Sequence, residues 1–200
     1  QLRALAKKEK TKVIEEIGEA AFYGPKIDFK AKDSLGRQWQ VATIQLDLNL
    51  PERFDLTCVN EKGEHERIVM IHAAIMGSIE RFMSILIEHH AGALPFWISP
   101  VQVEVIPVAT KHNARAKKLA TMLQDVGIRA HWDDANETVG YKIRKAEKHK
   151  APYMIVIGDK EKSLTTVSVR VRGKKQVRSV KLKAWMSDLQ KKNQTRSLVL

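Results

Sequence analysis

The sequence predicts a mixed α/β (α+β) fold in two parts that differ in pattern. In the first part, strand-like segments follow one another through short turn signals, which indicates an antiparallel sheet. In the second part, strand and helix patterns alternate, which is typical of an α/β domain with a mixed, largely parallel sheet. The change falls near LPFWISPVQ, residues 94–102, where two prolines favour an extended connection. We therefore expect one domain over residues 1–98 and another over residues 99–200.

The first part is expected to be an antiparallel sheet with one buried helix. Residues 1–20 read as a charged helix, and KIDFKAKDSLGRQWQVATIQLDL then predicts two strands joined by the turn KDSLGRQ. ERIVMIH predicts a further strand. Residues 74–90 predict a helix because apolar residues recur at helical spacing. Those positions are Ile75, Ile79, Phe82, Met83 and Leu86.

The second part is expected to contain four strands and three helices. The strands are VQVEVIPV, IRAHW, the fully apolar YMIVIG and the alternating TTVSVRVR. The helices are predicted over residues 112–126, where Gly127 ends the pattern, over residues 138–149 and over residues 179–192.

Positive charge is concentrated in the second part. The chain carries a net charge of +12, and residues 1–99 contribute 13 Lys and Arg against 14 Asp and Glu, whereas residues 100–200 contribute 22 against 9. A one-sided excess of this size favours a polyanionic partner. Nucleic acid fits better than a membrane surface, because no long lysine-rich helix with a broad apolar face dominates this part.

The cysteine content and the hydropathy limit the cellular compartments in which the protein is expected. The single cysteine, Cys58, excludes an internal disulfide and a zinc site built from several cysteines, and it fits a reducing, cytoplasmic compartment. No run approaches 18 uninterrupted apolar residues, and the start has no signal-peptide layout, so no membrane association is expected. The chain begins at Gln1 in what reads as the middle of a helix, and we therefore expect a part of a longer protein.

Three residues around the predicted helix of residues 74–90 suggest a site. His72 ends a strand, where a ring nitrogen could bind a metal, although a lone histidine is more often a hydrogen-bonded structural residue. Gly77 and Arg81 are expected one helical turn apart on a shared face. That face could take an adenine ring through stacking and cation–π contact, or Gly77 could simply permit close packing.

The strand QVATIQLD carries several uncharged polar residues. Strict alternation puts Gln40 and Ala42 on one face, with Thr43 and Gln45 on the other. Thr43 and Gln45 could line a small polar pocket or face solvent. The preceding AFYGPK, residues 21–26, can be read as a turn without further function.

Taken together, these residues match a family. The stretch from AFYGPKIDF through WQVATIQLDLNLPERFDL to MIHAAIMGSIERF resembles the end of the catalytic domain of bacterial threonyl-tRNA synthetases. NETVGYKIRKAEKHKAPYMIVIGDKE and TVSVRVRG resemble the anticodon-binding domain that follows it. The resemblance implies a partial antiparallel class II synthetase sheet followed by an α/β anticodon-binding domain with three helices. It covers nearly the whole chain.

The resemblance implies roles in the catalytic domain. His72 would be the last of three protein ligands of a zinc ion, one per subunit, that holds threonine, and it is the only one in this chain. Arg81 would act on ATP, which binds with Mg²⁺. Tyr23, Lys26 and Gln45 would line the threonine and adenylate pocket. Gln40 and Thr43 would contact the nucleotide or the tRNA end, and Gly77, Ser78 and Arg81 would form the third class II motif at the ATP. Ala42 and Ala73 depart from the family, which usually has glycine and arginine there.

The resemblance also implies an anticodon site in the second part. Asn136, Arg144, Glu161 and Arg170 fall where the family reads anticodon bases, and hydrogen-bonding side chains at strand ends suit unstacked bases. Glu161 is informative because an acid in a basic site repels phosphate, so a base edge explains it better. The alternative is a surface carboxylate that balances Lys160 and Lys162.

The function implied is that of a threonine–tRNA ligase, a homodimer as the intact enzyme, which joins threonine to its tRNA at the expense of ATP. The first two class II motifs and the other zinc ligands lie outside this sequence, so we expect this chain alone to be inactive. The alternative is a tRNA-binding fragment or synthetase-like paralogue that binds without charging. A third possibility is a basic α/β domain that binds RNA nonspecifically.

Overall fold

A computed structural model describes residues 2–10, 12–161 and 163–200. The chain forms two compact units, one that extends to Leu86 and one from Ile87 to Leu200. This division falls within a helix, earlier along the chain than residues 98 and 99, where the sequence pattern puts the domain boundary. Among the described residues, no helix combines the length and the apolar composition that a membrane span requires.

The first unit is built on a three-stranded antiparallel sheet of order β1-β2-β5. A separate two-stranded hairpin, β3-β4, lies between β2 and β5 along the chain. The elements are α1 (Leu2–Lys8), β1 (Lys26–Lys32), β2 (Gln38–Asp47), α2 (Leu50–Arg53), β3 (Thr57–Val59), β4 (His65–Arg67), β5 (Met70–Ile75) and α3 (Ile79–His89), which runs across the division.

Both helix predictions for this unit are wrong in extent. Helix α1 ends at Lys8 and residues 12–16 have no regular structure, while Gln1 and Thr11 lie outside the described residues. The predicted helix of residues 74–90 begins only at Ile79, because Ile75 still pairs with Ala42 in the sheet. Met76 and Gly77 then take φ values of 73° and 66°, a left-handed conformation that a helix cannot continue through. Helix α3 has no buried residue, so it is not the buried helix expected.

An irregularity between β1 and β2 changes the faces of β2. Phe29 pairs with Ala42, but the next residue, Lys30, pairs with Gln40, so Val41 is an extra residue. A bulge of this kind shifts the alternation by one position. Gln40 therefore shares a face with Thr43, whereas strict alternation had put the two on opposite faces.

The second unit is built on one five-stranded mixed sheet of order β10-β9-β8-β6-β7. Two 3₁₀ turns, Phe96–Ile98 and Thr110–His112, precede and follow its first strand. The elements are β6 (Val103–Pro107), α4 (Asn113–Asp125), β7 (Ala130–Trp132), α5 (Val139–Lys148), β8 (Tyr153–Ile157), β9 (Thr166–Val171), β10 (Val177–Lys181) and α6 (Leu182–Gln194).

The predicted α/β class is confirmed, with three α-helices and a mixed sheet in the part of this unit that the structure describes. Strand β6 pairs in parallel with β7 and β8, and β9 and β10 continue the sheet antiparallel. The edge strand β10 was not predicted, and helix α6 starts at Leu182 rather than at residue 179. The cause is tertiary, since Val177 to Lys181 pair with β9 in the register Val177↔Arg170 to Lys181↔Thr166.

The core of the second unit lies mainly between the sheet and helices α4 and α6. Leu119 and Leu123 of α4, Leu189 of α6 and Ile155 of β8 are fully buried there. A smaller cluster on the other face joins Met154 and Ile106 to Ala146 of α5. Helices thus cover both faces of the sheet, as its apolar strands require.

Candidate functional site

One face of the first unit's sheet gathers polar side chains. Because directly opposed residues in neighbouring strands project to the same face, the pairings Lys26↔Gln45 and Gln45↔His72 put these three side chains in a row across the strands. The pairing Asp28↔Thr43 forms a second row. We call this the polar sheet face, and it consists of Lys26, Asp28, Gln40, Thr43, Gln45, Asp47 and His72.

Asp28 organises one half of the polar sheet face. Its Oδ1 accepts hydrogen bonds from Gln40 Nε2 and Thr43 Oγ1, both at 2.7 Å, and its Oδ2 lies 2.8 Å from Lys26 Nζ. Burial raises the pKa of Asp28, but the bonds from Lys26, Thr43 and Gln40 outweigh it and the net pKa is lowered. Asp28 is thus an anion that holds three predicted site residues in fixed positions. Sequence reasoning missed it, although its place two residues after Lys26 in a strand was a signal.

His72 and Asp47 form the other half. Asp47 Oδ2 lies 2.7 Å from His72 Nε2, while its Oδ1 accepts the backbone N–H groups of Asn49 at 2.8 Å and Leu50 at 2.9 Å. Burial raises the pKa of Asp47, but the bonds from Leu50, His72 and Asn49 lower it below the ordinary value. The Tyr23 ring packs edge-on to His72, with centroids 5.9 Å apart. Two predicted site residues, Tyr23 and His72, are thereby in contact.

The described residues could provide a metal with a single ligand here. Among them, no group of three or more His, Cys, Asp or Glu side chains lies close enough to hold an ion. His72 nonetheless has the usual surroundings of a metal-binding histidine, because one ring nitrogen is bonded to a carboxylate and the side chain is 44% exposed.

The turn after β5 brings Gly77 and Arg81 to the same backbone carbonyl. A Cβ on Gly77 would lie 2.8 Å from the oxygen of Gln40, closer than real Cβ atoms come. Arg81 Nη1 donates to that oxygen at 3.4 Å, and Ser78 Oγ accepts from the backbone N–H of Arg81 at 3.2 Å. Gly77 therefore precedes helix α3 instead of sharing its face with Arg81, which corrects the sequence-based picture. Glycine is required here for close approach and for a φ of 66°.

Gln45 is the most enclosed of the predicted pocket residues. It is 8% exposed, and its Nε2 donates to the carbonyl of Gly24 at 3.4 Å. Gly24 lies so near β2 that a Cβ would overlap the oxygen of Leu46. The AFYGPK segment is therefore packed against β2 and is not simply a solvent-exposed turn.

In the second unit, the carboxyl ends of the parallel strands form the candidate nucleic-acid interface. The loops after β6, β7 and β8 leave the same edge of the sheet, which is where ligands bind in open α/β sheets. Asn136 is exposed in the loop after β7. Glu161 follows β8. The fold thus brings the loops that carry two predicted anticodon residues to one edge.

Glu161 is buried, not a surface carboxylate. It is 9% exposed, and its two oxygens accept hydrogen bonds from the backbone N–H of Gly158 at 3.0 Å and from Ser168 Oγ at 2.9 Å. The interpretation that it only balances Lys160 and Lys162 is therefore wrong. Lys162 itself lies outside the described residues. Glu161 shapes the loop 158–161 and ties it to β9.

The 3₁₀ turn Thr110–His112 and the start of α4 contact the same loop. Arg115 Nη1 donates to the carbonyl of Gly158 at 3.0 Å, and Lys111 Nζ lies 3.1 Å from Asp159 Oδ1. His112 is 3% exposed, with Nε2 3.7 Å from the same oxygen. Sequence reasoning missed these residues, because their partners lie more than forty positions along the chain and no local pattern indicates them.

The two predicted arginines differ in their surroundings. Arg170 Nη2 lies 2.6 Å from Glu147 Oε1 of α5, and its buried Nε has no hydrogen-bond partner within the described part of the chain. Arg144 is exposed on α5, with Nε 3.4 Å from the carbonyl of Gly140. Arg144 is free to meet a ligand in its present position, whereas Arg170 would have to exchange its bond with Glu147.

Two family models match consecutive parts of the chain. Residues 2–90 match the family model described as the tRNA synthetase class II core domain (G, H, P, S and T), and residues 102–192 match the one described as the anticodon binding domain.

Individual relatives are threonine–tRNA ligases. The chain is 53% identical to that of Thermotoga neapolitana over 92% of its own length and 29% of the relative's, and 47% identical to that of Deinococcus radiodurans over 97% and 32%. It therefore spans about a third of the length of these relatives or less. The crystal structure of the RNA binding domain of threonyl-tRNA synthetase from Cryptosporidium parvum matches all of the chain and 50% of that protein, with 33% identity and a TM-score of 0.84. The chain belongs to the threonyl-tRNA synthetase family and corresponds to the C-terminal part of its bacterial members.

Proposed function

We propose that the chain is part of a cytoplasmic, homodimeric enzyme that activates threonine with ATP and transfers it to threonine tRNA. The observation that carries this proposal is the polar sheet face, with seven polar side chains on a class II core sheet that an anticodon-binding domain follows in the same chain. Catalysis would depend on positioning and on stabilising charge around the phosphate, since adenylate formation requires no covalent bond to the protein.

The polar sheet face supplies contacts to threonine and the nucleotide. Tyr23, Lys26 and Gln45 would line the threonine and adenylate pocket, and Gln40 and Thr43 would meet the nucleotide or the tRNA end. The hydrogen-bond network around Asp28 supports this assignment, because it holds the donor groups of Lys26, Gln40 and Thr43 in place before a ligand binds. Preorganised donors cost little to align when the reaction occurs.

The ATP end of this site would be formed at the turn that precedes α3. Arg81 is exposed, and within the described part of the chain its guanidinium makes only a long bond to the Gln40 carbonyl, so it is available to stack on adenine. Gly77 and Ser78 shape the turn that places it. Mg²⁺ would enter with ATP as its counter-ion.

Zinc would be held in the intact enzyme by His72 together with ligands from outside this chain. The arrangement of His72 beside a buried carboxylate fits such a ligand. The metal would bind the amino and hydroxyl groups of threonine, which discriminates against an isosteric methyl more strongly than an apolar pocket does.

The second unit would bind the anticodon arm. It carries most of the excess positive charge, and Asn136, Arg144, Glu161 and Arg170 would contact bases or hold the loops that do. Phosphate contacts by surface lysines such as Lys174 would add affinity without selectivity. A fragment limited to these residues would bind tRNA without charging it, because a single metal ligand and half a catalytic sheet cannot form the adenylate.

The catalytic assignment is tested in the full-length enzyme with Lys26→Ala. We expect threonine-dependent pyrophosphate exchange to fall by at least about tenfold, which corresponds to the loss of one charged hydrogen bond. Lys62→Ala, in the exposed β3–β4 turn, is the matched control and should leave the rate unchanged. Equal rates for both variants would refute the assignment of the polar sheet face.

A further inference from the structure

Asp47 has no assigned role of its own, although it contacts the proposed zinc ligand His72. Its side chain is 1% exposed, and Oδ2 lies 2.7 Å from His72 Nε2. A buried carboxylate is kept in a protein only when its oxygens are hydrogen-bonded, and both oxygens of Asp47 are. The contact with His72 is therefore a built feature of the polar sheet face.

The direction of this contact is fixed by the backbone. Asp47 is the last residue of β2, and its Oδ1 accepts the N–H groups of Asn49 and Leu50 at the start of helix α2. Two bonds to one oxygen prevent free rotation of the carboxylate. Oδ2 is consequently held towards β5, where Gln45 pairs with His72.

The contact also determines where the histidine carries its proton. An ionised carboxylate only accepts hydrogen bonds, so the neutral imidazole that faces it must donate from Nε2. The lone pair is then on Nδ1, and a neutral imidazole binds metals through its lone-pair nitrogen. The edge contact of the Tyr23 ring restrains the imidazole from a further side.

We propose that Asp47 is a positioning residue for metal binding by His72. It selects the Nε2–H tautomer and turns the ring so that Nδ1 is the nitrogen offered to the metal. This inference rests on the proposed role of His72 as a zinc ligand. It adds that zinc affinity also depends on Asp47, a residue that does not itself bind the metal.

The tautomer can be measured on this chain without a metal. In ¹⁵N-detected imidazole spectra, recorded at increasing pH until the ring signals no longer change, His72 should be mainly the Nε2–H tautomer. In Asp47→Asn the amide oxygen can still accept from Asn49 and Leu50, which leaves the NH₂ group towards His72 and shifts the ring to the Nδ1–H tautomer. Asp55→Asn, at an exposed carboxylate bonded to Arg67, should change nothing.

The unsubstituted chain decides this test even if Asp47→Asn does not fold. A dominant Nδ1–H tautomer in the unsubstituted chain would overturn the inference. So would a folded Asp47→Asn chain in which the tautomer population is the same as before.

The metal itself is measured in the full-length enzyme by competition with a chelator. Asp47→Asn should lower zinc affinity about 10–100-fold, Asp55→Asn should leave it unchanged, and His72→Ala should remove the metal. Full zinc in His72→Ala would refute the proposed ligand and leave the tautomer result standing. Loss of zinc in His72→Ala with full affinity in Asp47→Asn would refute the positioning role and leave the proposed function standing.

Discussion

The two units of this chain differ in the side chains that they bury. The second unit has a large apolar core, with Leu119, Leu123 and Ile155 among its fully buried members, beside fewer buried polar residues. In the described part of the first unit the buried side chains are Gln45, Asp47 and Pro51, and the apolar side chains on the other face of its sheet, such as Ile71 and Ile75, are 61% and 81% exposed. Hydrophobic burial therefore stabilises the second unit, whereas a polar network orders the first unit's sheet.

This contrast shows that the two units differ in how their stabilising residues are arranged relative to their proposed site residues. The interior of the second unit is covered by its own helices, and two of its proposed anticodon residues, Asn136 and Glu161, lie in loops at one edge of the sheet. In the first unit, proposed site residues such as Lys26, Gln45 and His72 belong to the sheet itself, where they also make the ordering contacts. Substitutions in the loops of the second unit are therefore expected to change binding more than stability, while those in the sheet of the first unit change both together.

The largest expected effect tests the difference in hydrophobic burial. Leu119→Ala removes a fully buried side chain and should lower the free energy of unfolding of the second unit by about 2–5 kcal/mol. Ile75→Ala in the first unit should cost less than about 1 kcal/mol, because its side chain is 81% exposed. Urea unfolding followed by amide signals of each unit measures both. Similar costs would mean that the first unit has a core of its own.

A second effect tests backbone approach in the first unit. Gly77→Ala should cost about 1–3 kcal/mol, since alanine disfavours a φ of 66° and its Cβ would press on the Gln40 carbonyl. Gly63→Ala is the control, because its φ is similar at 78° but nothing lies within 4 Å. The difference between the two in urea unfolding isolates the close contact. Identical costs would show that the φ alone matters.

A third effect concerns tRNA and uses the chain as it is. Glu161→Ala frees Gly158 and Ser168, so the loop after β8 loses its form, and we expect the preference for threonine tRNA over other tRNAs to fall by about 1–3 kcal/mol. Nonspecific affinity should stay equal or rise slightly. Lys174→Ala should instead weaken all tRNAs alike and reduce the dependence on salt. Competition binding at fixed salt distinguishes a loss of selectivity from a general loss of affinity. If both variants change the affinity for every tRNA by the same factor, the second unit binds tRNA by electrostatic attraction and does not recognise bases.

The smallest effect is a difference in acid response. In the first unit, hydrogen bonds from Trp39 and Arg37 outweigh the effect of burial and lower the pKa of Asp33 to about 2. The contribution of Asp33 to the free energy of unfolding is therefore complete above the ordinary pKa of 3.8 and is lost as pH falls towards 2. In the second unit, burial raises the pKa of Glu104 above the ordinary 4.5, although the hydrogen bond from His131 opposes this shift. The contribution of Glu104 to the free energy of unfolding is therefore present at low pH and falls as pH rises through the pKa of the folded state. As pH falls from the ordinary 3.8 towards 2, the first unit should therefore lose stability, whereas the contribution of Glu104 to the second unit changes only above the ordinary 4.5. Unfolding curves of Asp33→Asn and Glu104→Gln should each lose the corresponding pH dependence, and unchanged slopes would contradict these pKa directions.

Much of the fold was predictable because the patterns are local. Alternation and apolar runs predicted β6, β8 and β9, and Gly127 marks the end of helix α4, as a residue with φ of 80° should. Edge strand β10 and hairpin β3-β4 were missed, because short exposed strands have no apolar periodicity and form only by pairing with a partner. The proposed site residues, such as His72, Arg81 and Glu161, depend on residue identity and stay predictions, whereas their contacts could not be predicted from the sequence.

By itself, the sequence determined the α/β class, the two-part order and the family to which the chain belongs, since these depend on periodicity, charge distribution and short motifs that neighbouring residues carry together. Tertiary structure decided which of these residues meet. The extra residue Val41 moved Gln40 onto the face of Thr43, Asp28 and Asp47 became the centres of the polar sheet face, and Glu161 turned inward to Gly158 and Ser168. The physical reason is that hydrogen bonds between strands depend on register and on backbone turns, and a shift of one residue reverses the face on which a side chain lies.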